Sequence, residues 1–225
     1  RLSKYSTAAI CLDLFSAESQ ANVGQTIPLQ GGELCYYPHF FSQQQADSLL
    51  NQFEQHLPWR QEQITLFGKR LMVPRLSAWY ADDELPYTYS GITHQGLAWT
   101  QELMTIRRRL EAAAAVEFNS VLANLYRDGS DSNGWHADDE VELGDAPVIA
   151  SVSFGQPRVF QMKHRTDKQQ KLKLELPHGS VLIMRGETQK NWLHQIAKSR
   201  RSMKARINLT FRWVDPLLAK RASRA

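Results

Sequence analysis

Cysteine is nearly absent: Cys11 and Cys35 are the only two in 225 residues. Two thiols without paired spacing exclude a disulfide framework and a cysteine-based zinc site, and a reducing, cytoplasmic setting is expected. Long apolar runs are also missing. The longest near the start, Ala8 to Leu14, is broken by Asp13, whereas a membrane helix needs about 20 residues. No membrane partner and no secretion signal are therefore expected. There is no internal repeat and no low-complexity tract. With 42% hydrophobic and 22% charged residues, the chain lies far from disordered or collagen-like compositions and has enough apolar side chains for a sizeable core. The length suits one large domain, or a core with an appended lobe.

Net charge is small too, at +4, but it is unevenly spread. Residues 198–225 carry nine Lys/Arg against Asp215 alone, while Asp128 to Asp145 holds seven carboxylates and no Lys or Arg. Such a split suits an anionic partner for the basic part and a cation for the acidic part; solvated surface is the plainer reading.

Residues 1–26 lack clear periodicity and read as an extension. Ser42-x-x-Gln45 is a capping box, and Ala46, Leu49, Leu50, Phe53 and Leu57 follow at helical spacing until Pro58. Trp99, Leu103, Ile106, Leu110 and Ala113 mark a second amphipathic helix. Between them, Ile64 to Val73 reads as a hairpin turning at Gly68-Lys69, followed by an aromatic-rich loop from Trp79-Tyr80 to Tyr87-Thr88-Tyr89. After about residue 117 the chain becomes a series of short strand-like segments: 118–126, 148–154, 158–163, 170–176, 180–184, 191–196 and 206–213. Helices first and an all-β core after them point to a mainly β protein with flanking helices, built on a sandwich or barrel.

The last of these segments is the most informative. Side chains alternate faces along a strand, so Ile207, Leu209, Phe211 and Trp213 share one face while Arg206, Asn208, Thr210 and Arg212 share the other. If the apolar face packs under the helices, the polar face looks into the sandwich, where two guanidinium groups call for an anion. The alternative is a polar face in solvent. A second feature is His136-Ala137-Asp138. Ligands at i and i+2 point to one side of an extended segment, and His194 is the best third ligand. Two histidines and one carboxylate form the facial set of non-haem Fe(II) oxygenases; an ordinary surface histidine is the competing reading.

In order, Asn124-x-Tyr126, His136-x-Asp138-Asp139-Glu140, Ser151-x-Ser153-Phe154-Gly155, His178-Gly179-Ser180, His194 and Arg206-x-Asn208-x-Thr210-x-Arg212 resemble the AlkB family of iron- and 2-oxoglutarate-dependent dioxygenases. The resemblance runs from about Val73 to Trp213. Pro74 to Tyr80, with Leu85 to Ser90, resembles the branch that repairs alkylated bases. It implies a double-stranded β-helix (jelly-roll) core at 118–214, a nucleotide-recognition lid at 27–117, and a basic tail at 215–225. It also implies that His136, Asp138 and His194 hold Fe(II), while Asn124, Tyr126, Arg206, Asn208, Thr210 and Arg212 bind 2-oxoglutarate. With O2, such an enzyme oxidises an N-methyl group of the 1-methyladenine or 3-methylcytosine type, releasing succinate, CO2 and formaldehyde.

The implied partner is alkylated DNA, single- or double-stranded, with RNA as a further candidate, bound by a monomer. A methyl group on a pairing edge is reached only in a single strand or a flipped base. Tyr80, Tyr87 and Tyr89 are candidates to stack on it, with core or loop packing the alternative. Asp139 or Glu140 could meet an exocyclic amino group, Arg75 a phosphate or the pocket wall, and Phe67 could wedge between bases. Lys163, Arg165, Lys168, Lys171 and Lys173, beside the strip at 198–204, suggest a phosphate-binding rim. The hairpin resembles duplex-acting members and the tyrosine loop single-strand-preferring ones. Two rival readings remain at this point: a dioxygenase acting on protein side chains, and a non-catalytic β-sandwich that binds nucleic acid.

Overall fold

The computed structural model describes residues 24–222, except 67, 83, 84, 90 and 91. Strands β1 (Gln25–Leu29) and β2 (Gly32–Tyr37) precede helix α1 (Gln43–His56). Then come β3 (Gln63–Leu66), β4 (Lys69–Met72), β5 (Leu76–Ala81), β6 (Pro86–Tyr89), β7 (Ile92–Gln95) and helix α2 (Gln101–Ala114). The second half holds β8 (Ser120–Tyr126), β9 (Asn133–His136), β10 (Ile149–Gly155), β11 (Arg158–His164), β12 (Lys171–Leu176) and β13 (Ser180–Gly186). It ends with the short helix α3 (Thr188–Asn191), β14 (Trp192–Ile196), β15 (Arg206–Arg212) and α4 (Pro216–Ala222). No described helix is long and apolar enough to cross a membrane.

Two antiparallel sheets face one another. The major sheet runs β1-β2-β13-β10-β15-β8-β5 and the minor one β12-β11-β14-β9, so the molecule is mainly β with flanking helices, a jelly-roll. Each central strand of the major sheet is buried on both faces, and alternation assigns its side chains to one of two cores. Ala123, Val152, Ile207, Leu209 and Phe211 join Leu49, Phe53, Leu103, Ile106 and Leu110 of the two helices in one apolar layer. Trp79, Leu182 and Met184 meet Phe160, Met162, Leu176 and Trp192 between the sheets.

The helices begin where their caps say they should. The Ser42 hydroxyl accepts from the Gln45 N–H, the Gln45 side chain accepts from the Ser42 N–H, and Thr100 caps α2. The edge strand β12 alternates as its Lys-Leu pattern predicts, with Leu172 and Leu174 turned toward the inter-sheet core.

The structure departs from the sequence reading in four places. Leu66 pairs with Lys69, so Lys69 starts the returning strand and is not a turn residue. The expected aromatic loop contains two strands, with Trp79 and Tyr80 in β5 and Tyr87 to Tyr89 in β6, paired with β7; both faces of β5 are buried, which erases the polar/apolar alternation that betrays a strand. Trp213 lies beyond the end of β15 and is 45% exposed, so it does not extend the apolar face. Finally, the stretch expected as a lid supplies β1, β2 and β5 to the major sheet itself, through pairing of β2 with β13 and β5 with β8.

Candidate active site

Between the sheets, His136 at the end of β9 lies directly opposite His194 on the neighbouring strand β14, their ring centroids 4.3 Å apart. Asp138 follows in an irregular loop. One ligand atom from each of the three lies within 4.8 Å of the others. A strand pair thus fixes two donors rigidly, and the loop brings the third.

Hydrogen bonds orient each of them. The Gly134 carbonyl accepts from His136 Nδ1 at 2.7 Å, leaving Nε2 as the lone-pair nitrogen. The Asp138 carboxylate accepts from Arg212 Nη2 at 2.8 Å, and both side chains are buried. Gln189 Oε1 accepts from the Asp138 N–H at 2.9 Å and from His194 Nε2 at 3.2 Å. Burial, followed by the neighbouring His136, pushes His194 down to about 3, so its ring is neutral at ordinary pH. Burial alone would raise Asp138; Arg212, His194 and His136 outweigh it and hold the carboxyl below the usual carboxylate range. The set therefore offers two imidazoles, that of His194 neutral, and one carboxylate held in its ionised form. This donor chemistry fits Fe(II).

The polar face of β15 does look inward. Arg206 is 1% exposed, with its guanidinium 5.2 Å from the Tyr126 ring centroid and Nη2 donating to Ser153 Oγ at 2.9 Å. Its Nε and Nη1 have no hydrogen-bond partner among the described residues. Burial lowers Arg206 to about 10, so it still carries its charge near neutrality. A buried cation with uncommitted N–H groups fits a carboxylate, which a guanidinium binds in a fork. Asn208 donates to Ser151 Oγ at 2.8 Å and accepts from Thr210 Oγ1 at 3.0 Å. Asn124 sits opposite Asn208 in register and accepts from Arg75 Nε at 2.8 Å. Arg206, Asn208, Thr210, Asn124 and Tyr126 line the same pocket as the three candidate ligands. Arg212 lines the pocket as well, and its Nη2 donates to Asp138.

The expected substrate residues divide. Arg75 is buried in the pocket wall, bonded to Asn124 and to the Ser132 carbonyl, and is not a surface phosphate contact. Glu140 lines the pocket, and burial raises its carboxyl above the usual range. Asp139 points elsewhere, forming an ion pair with Arg165 at 2.6 Å. Tyr80 belongs to the core layer under the helices, on the face of β5 turned away from the pocket; alternation along β5 sends Trp79, not Tyr80, toward the inter-sheet space. Phe67 lies outside the described residues, as do the side chains of Tyr87 and Tyr89. Lys163 and Lys171 are paired across β11 and β12, and Lys163 Nζ lies 4.3 Å from the Trp135 ring centroid.

Three contributors escaped the sequence reading. Met184 and Phe160 form apolar walls, and nothing separates them from ordinary core residues in the sequence. Gln189 lies in a four-residue helix with no periodic pattern to mark it.

Comparison with known proteins agrees with this geometry. The 2OG-Fe(II) oxygenase superfamily profile matches residues 33–212. The chain is 41% identical over 198 residues to the alpha-ketoglutarate-dependent dioxygenase alkB homolog 3 of Mus musculus, covering 84% of this chain and 68% of that protein; the Homo sapiens protein gives the same figures. It is 36% identical over 195 residues to the DNA oxidative demethylase ALKBH2 of Mus musculus, covering 82% of each. The solved structure of OsALKBH1 superposes with a TM-score of 0.58 at 14% identity, covering 84% of this chain and 100% of that one, which supports the shared fold. A pocket that joins a His-Asp-His set to a buried arginine, on a jelly-roll with these relatives, places the chain in the 2OG-Fe(II) oxygenase superfamily, as a member of its AlkB family whose cofactors are Fe(II), 2-oxoglutarate and O2.

Proposed function

We propose that this enzyme oxidatively removes alkyl groups from base nitrogens of DNA, with 1-methyladenine and 3-methylcytosine as the expected lesion type. The observation that carries the reading is the sharing of one buried pocket by His136, Asp138 and His194 and the uncommitted N–H groups of Arg206. The similarity to proteins named DNA oxidative demethylase supplies the substrate class.

Bound iron and 2-oxoglutarate, with O2, supply the oxidising power for C–H hydroxylation, leaving succinate and CO2. His136, Asp138 and His194 would hold the metal. Arg206 would anchor a carboxylate of the co-substrate, with Asn124, Tyr126, Asn208 and Thr210 along its flanks. Arg75 fixes Asn124 from behind. A methyl group on a cationic base nitrogen, once hydroxylated, is lost as formaldehyde without further help. Glu140, which lines the pocket, is the carboxyl assigned to the base in this reading, since Asp139 is ion-paired with Arg165. Lys163, Arg165, Lys168, Lys171 and Lys173 are proposed to contact phosphates, giving affinity without sequence specificity. RNA as a second substrate and a monomeric state are part of the same proposal.

Mass spectrometry of oligonucleotides carrying either lesion, single- and double-stranded, tests it. The expected result is a product lighter by one methylene with formaldehyde released. Succinate formation with every oligonucleotide left methylated would refute the demethylase reading and leave the oxygenase assignment standing.

A further inference from the structure

The ladder between β9 and β14 is irregular. His136 faces His194 and Asn133 faces Ile196, so Gly134 and Trp135 together stand opposite the single residue Gln195. This is a β-bulge, one extra residue on the edge strand of the minor sheet. Its consequence is one of direction. Asn133 and His136 both line the pocket, although strict alternation would put residues three apart on opposite faces. The two residues between them are turned to the outside: Gly134 and Trp135 are both exposed, Trp135 by 39%.

A bulge on an edge strand discourages pairing with another chain whatever its residues are. It does not call for an indole in water. The surroundings of that indole show what it fits. Lys163 Nζ lies over the ring, 4.3 Å from its centroid. Lys163 is paired across the ladder with Lys171, and Lys173 shares the outward face of β12 with Lys171. None of the three lysines forms an ion pair among the described residues. A Cβ added at Gly134 would meet nothing within 4 Å, so the space beside Trp135 is open. A flat aromatic ring next to uncommitted cations and free space has the chemistry of single-stranded nucleic-acid sites, in which the ring stacks on a base and the cations meet phosphates.

We propose that Trp135 is a stacking platform for an unpaired base next to the lesion, with Lys163, Lys171 and Lys173 on the neighbouring phosphates. The proposal rests on the base-demethylation reading and adds to it a preference for single strands. Trp135 directly precedes the pocket-lining His136, so a strand that delivers its modified base to the pocket passes beside the bulge. In a duplex the flanking bases are already stacked and paired, and a protein ring reaches them only at the cost of unstacking.

The test is fluorescence anisotropy of the iron-loaded full chain without O2, so that nothing turns over. The probes are a dye-labelled single-stranded oligonucleotide with one 1-methyladenine, and the same strand with abasic residues on both sides of the lesion. Wild type is compared with Trp135→Leu, which stays apolar but loses the ring, and with Trp135→Phe, which keeps a ring. The expected result for Trp135→Leu is binding of the intact strand weakened about 5- to 150-fold, the range that base–aromatic stacking spans, with Trp135→Phe retaining most of the affinity. Abasic flanks should weaken wild type by a similar factor and Trp135→Leu no further. An unchanged affinity in a folded Trp135→Leu, or an equal loss on both strands, would overturn the proposal. Should Trp135→Leu fail to fold, wild type decides: full affinity for the abasic strand overturns the platform, and weakened affinity supports it. Failure of the underlying reading looks different, because wild type would then leave 1-methyladenine intact under O2 and 2-oxoglutarate whatever its flanks.

Discussion

Arg206 concentrates the physical problem of the site in one side chain: a full charge, 1% exposed, with two N–H positions uncommitted among the described residues. A hydrogen bond to a charged group contributes about 1.5–3 kcal/mol, roughly 10- to 100-fold in affinity. Arg206→Lys, which keeps the charge and loses the fork, is expected to raise the KM for 2-oxoglutarate by about that factor. An unchanged KM would place the co-substrate carboxylate elsewhere. Strand alternation made the inward face of β15 legible from the sequence, because its two faces differ in polarity. Tyr80 was misread for the opposite reason: β5 is buried on both faces and offers no contrast. Burial has raised the Tyr80 hydroxyl to about 12, from the ordinary 10 of an unfolded chain. Between those values the unfolded chain has released the proton and the folded one keeps it, so stability falls as pH rises. Thermal midpoints measured from pH 9 to pH 11 should show a shallower fall for Tyr80→Phe than for wild type. Equal slopes in the two proteins would mean that Tyr80 is not shielded.

At the scale of elements, β15 is the keystone, paired with β10 on one side and β8 on the other while its two faces serve two different layers. Leu209 is fully buried in the helix-side layer. Leu209→Ala should therefore cost about 2–5 kcal/mol of unfolding free energy in the metal-free protein, read by urea titration. A loss below about 1 kcal/mol would mean that the layer collapses around the gap. The approach to β15 is set by Gly155, whose φ of +85° only glycine adopts freely and whose added Cβ would meet the Ala205 carbonyl. Gly155→Ala is expected to destabilise by about 1–3 kcal/mol, with a weaker hold on 2-oxoglutarate because Arg206 is the next residue after Ala205. Helices and the β12 edge strand were legible in the sequence through caps and alternation. The short helix α3 was not, since four residues are too few to show a period, and Gln189 went unseen with it.

For the whole molecule, the modest +4 conceals a division of labour. Part of the acidic charge surrounds the metal ligands, and part of the basic charge is internal, in Arg206 and Arg212. Lys163, Lys171 and Lys173 on the minor sheet remain for an outside partner. Nucleic-acid affinity should accordingly fall steeply, and linearly on logarithmic axes, as salt is raised, with a slope that shrinks when Lys171 and Lys173 are replaced by Gln. A flat salt response would show that this rim does not carry the binding. The fold class, and the meeting of His136, Asp138 and His194 in one pocket, could be read from the order of motifs along the chain. The sequence did not show which arginine meets the aspartate, because both occupy the same face of one strand and only the loop after β9 tells them apart. The central claim is that one pocket couples 2-oxoglutarate turnover to base demethylation. Simultaneous quantification of succinate and formaldehyde from a single-stranded oligonucleotide bearing 1-methyladenine tests it most directly: the two should appear in equal amounts in wild type and both vanish in His136→Ala, whereas succinate without formaldehyde would contradict it.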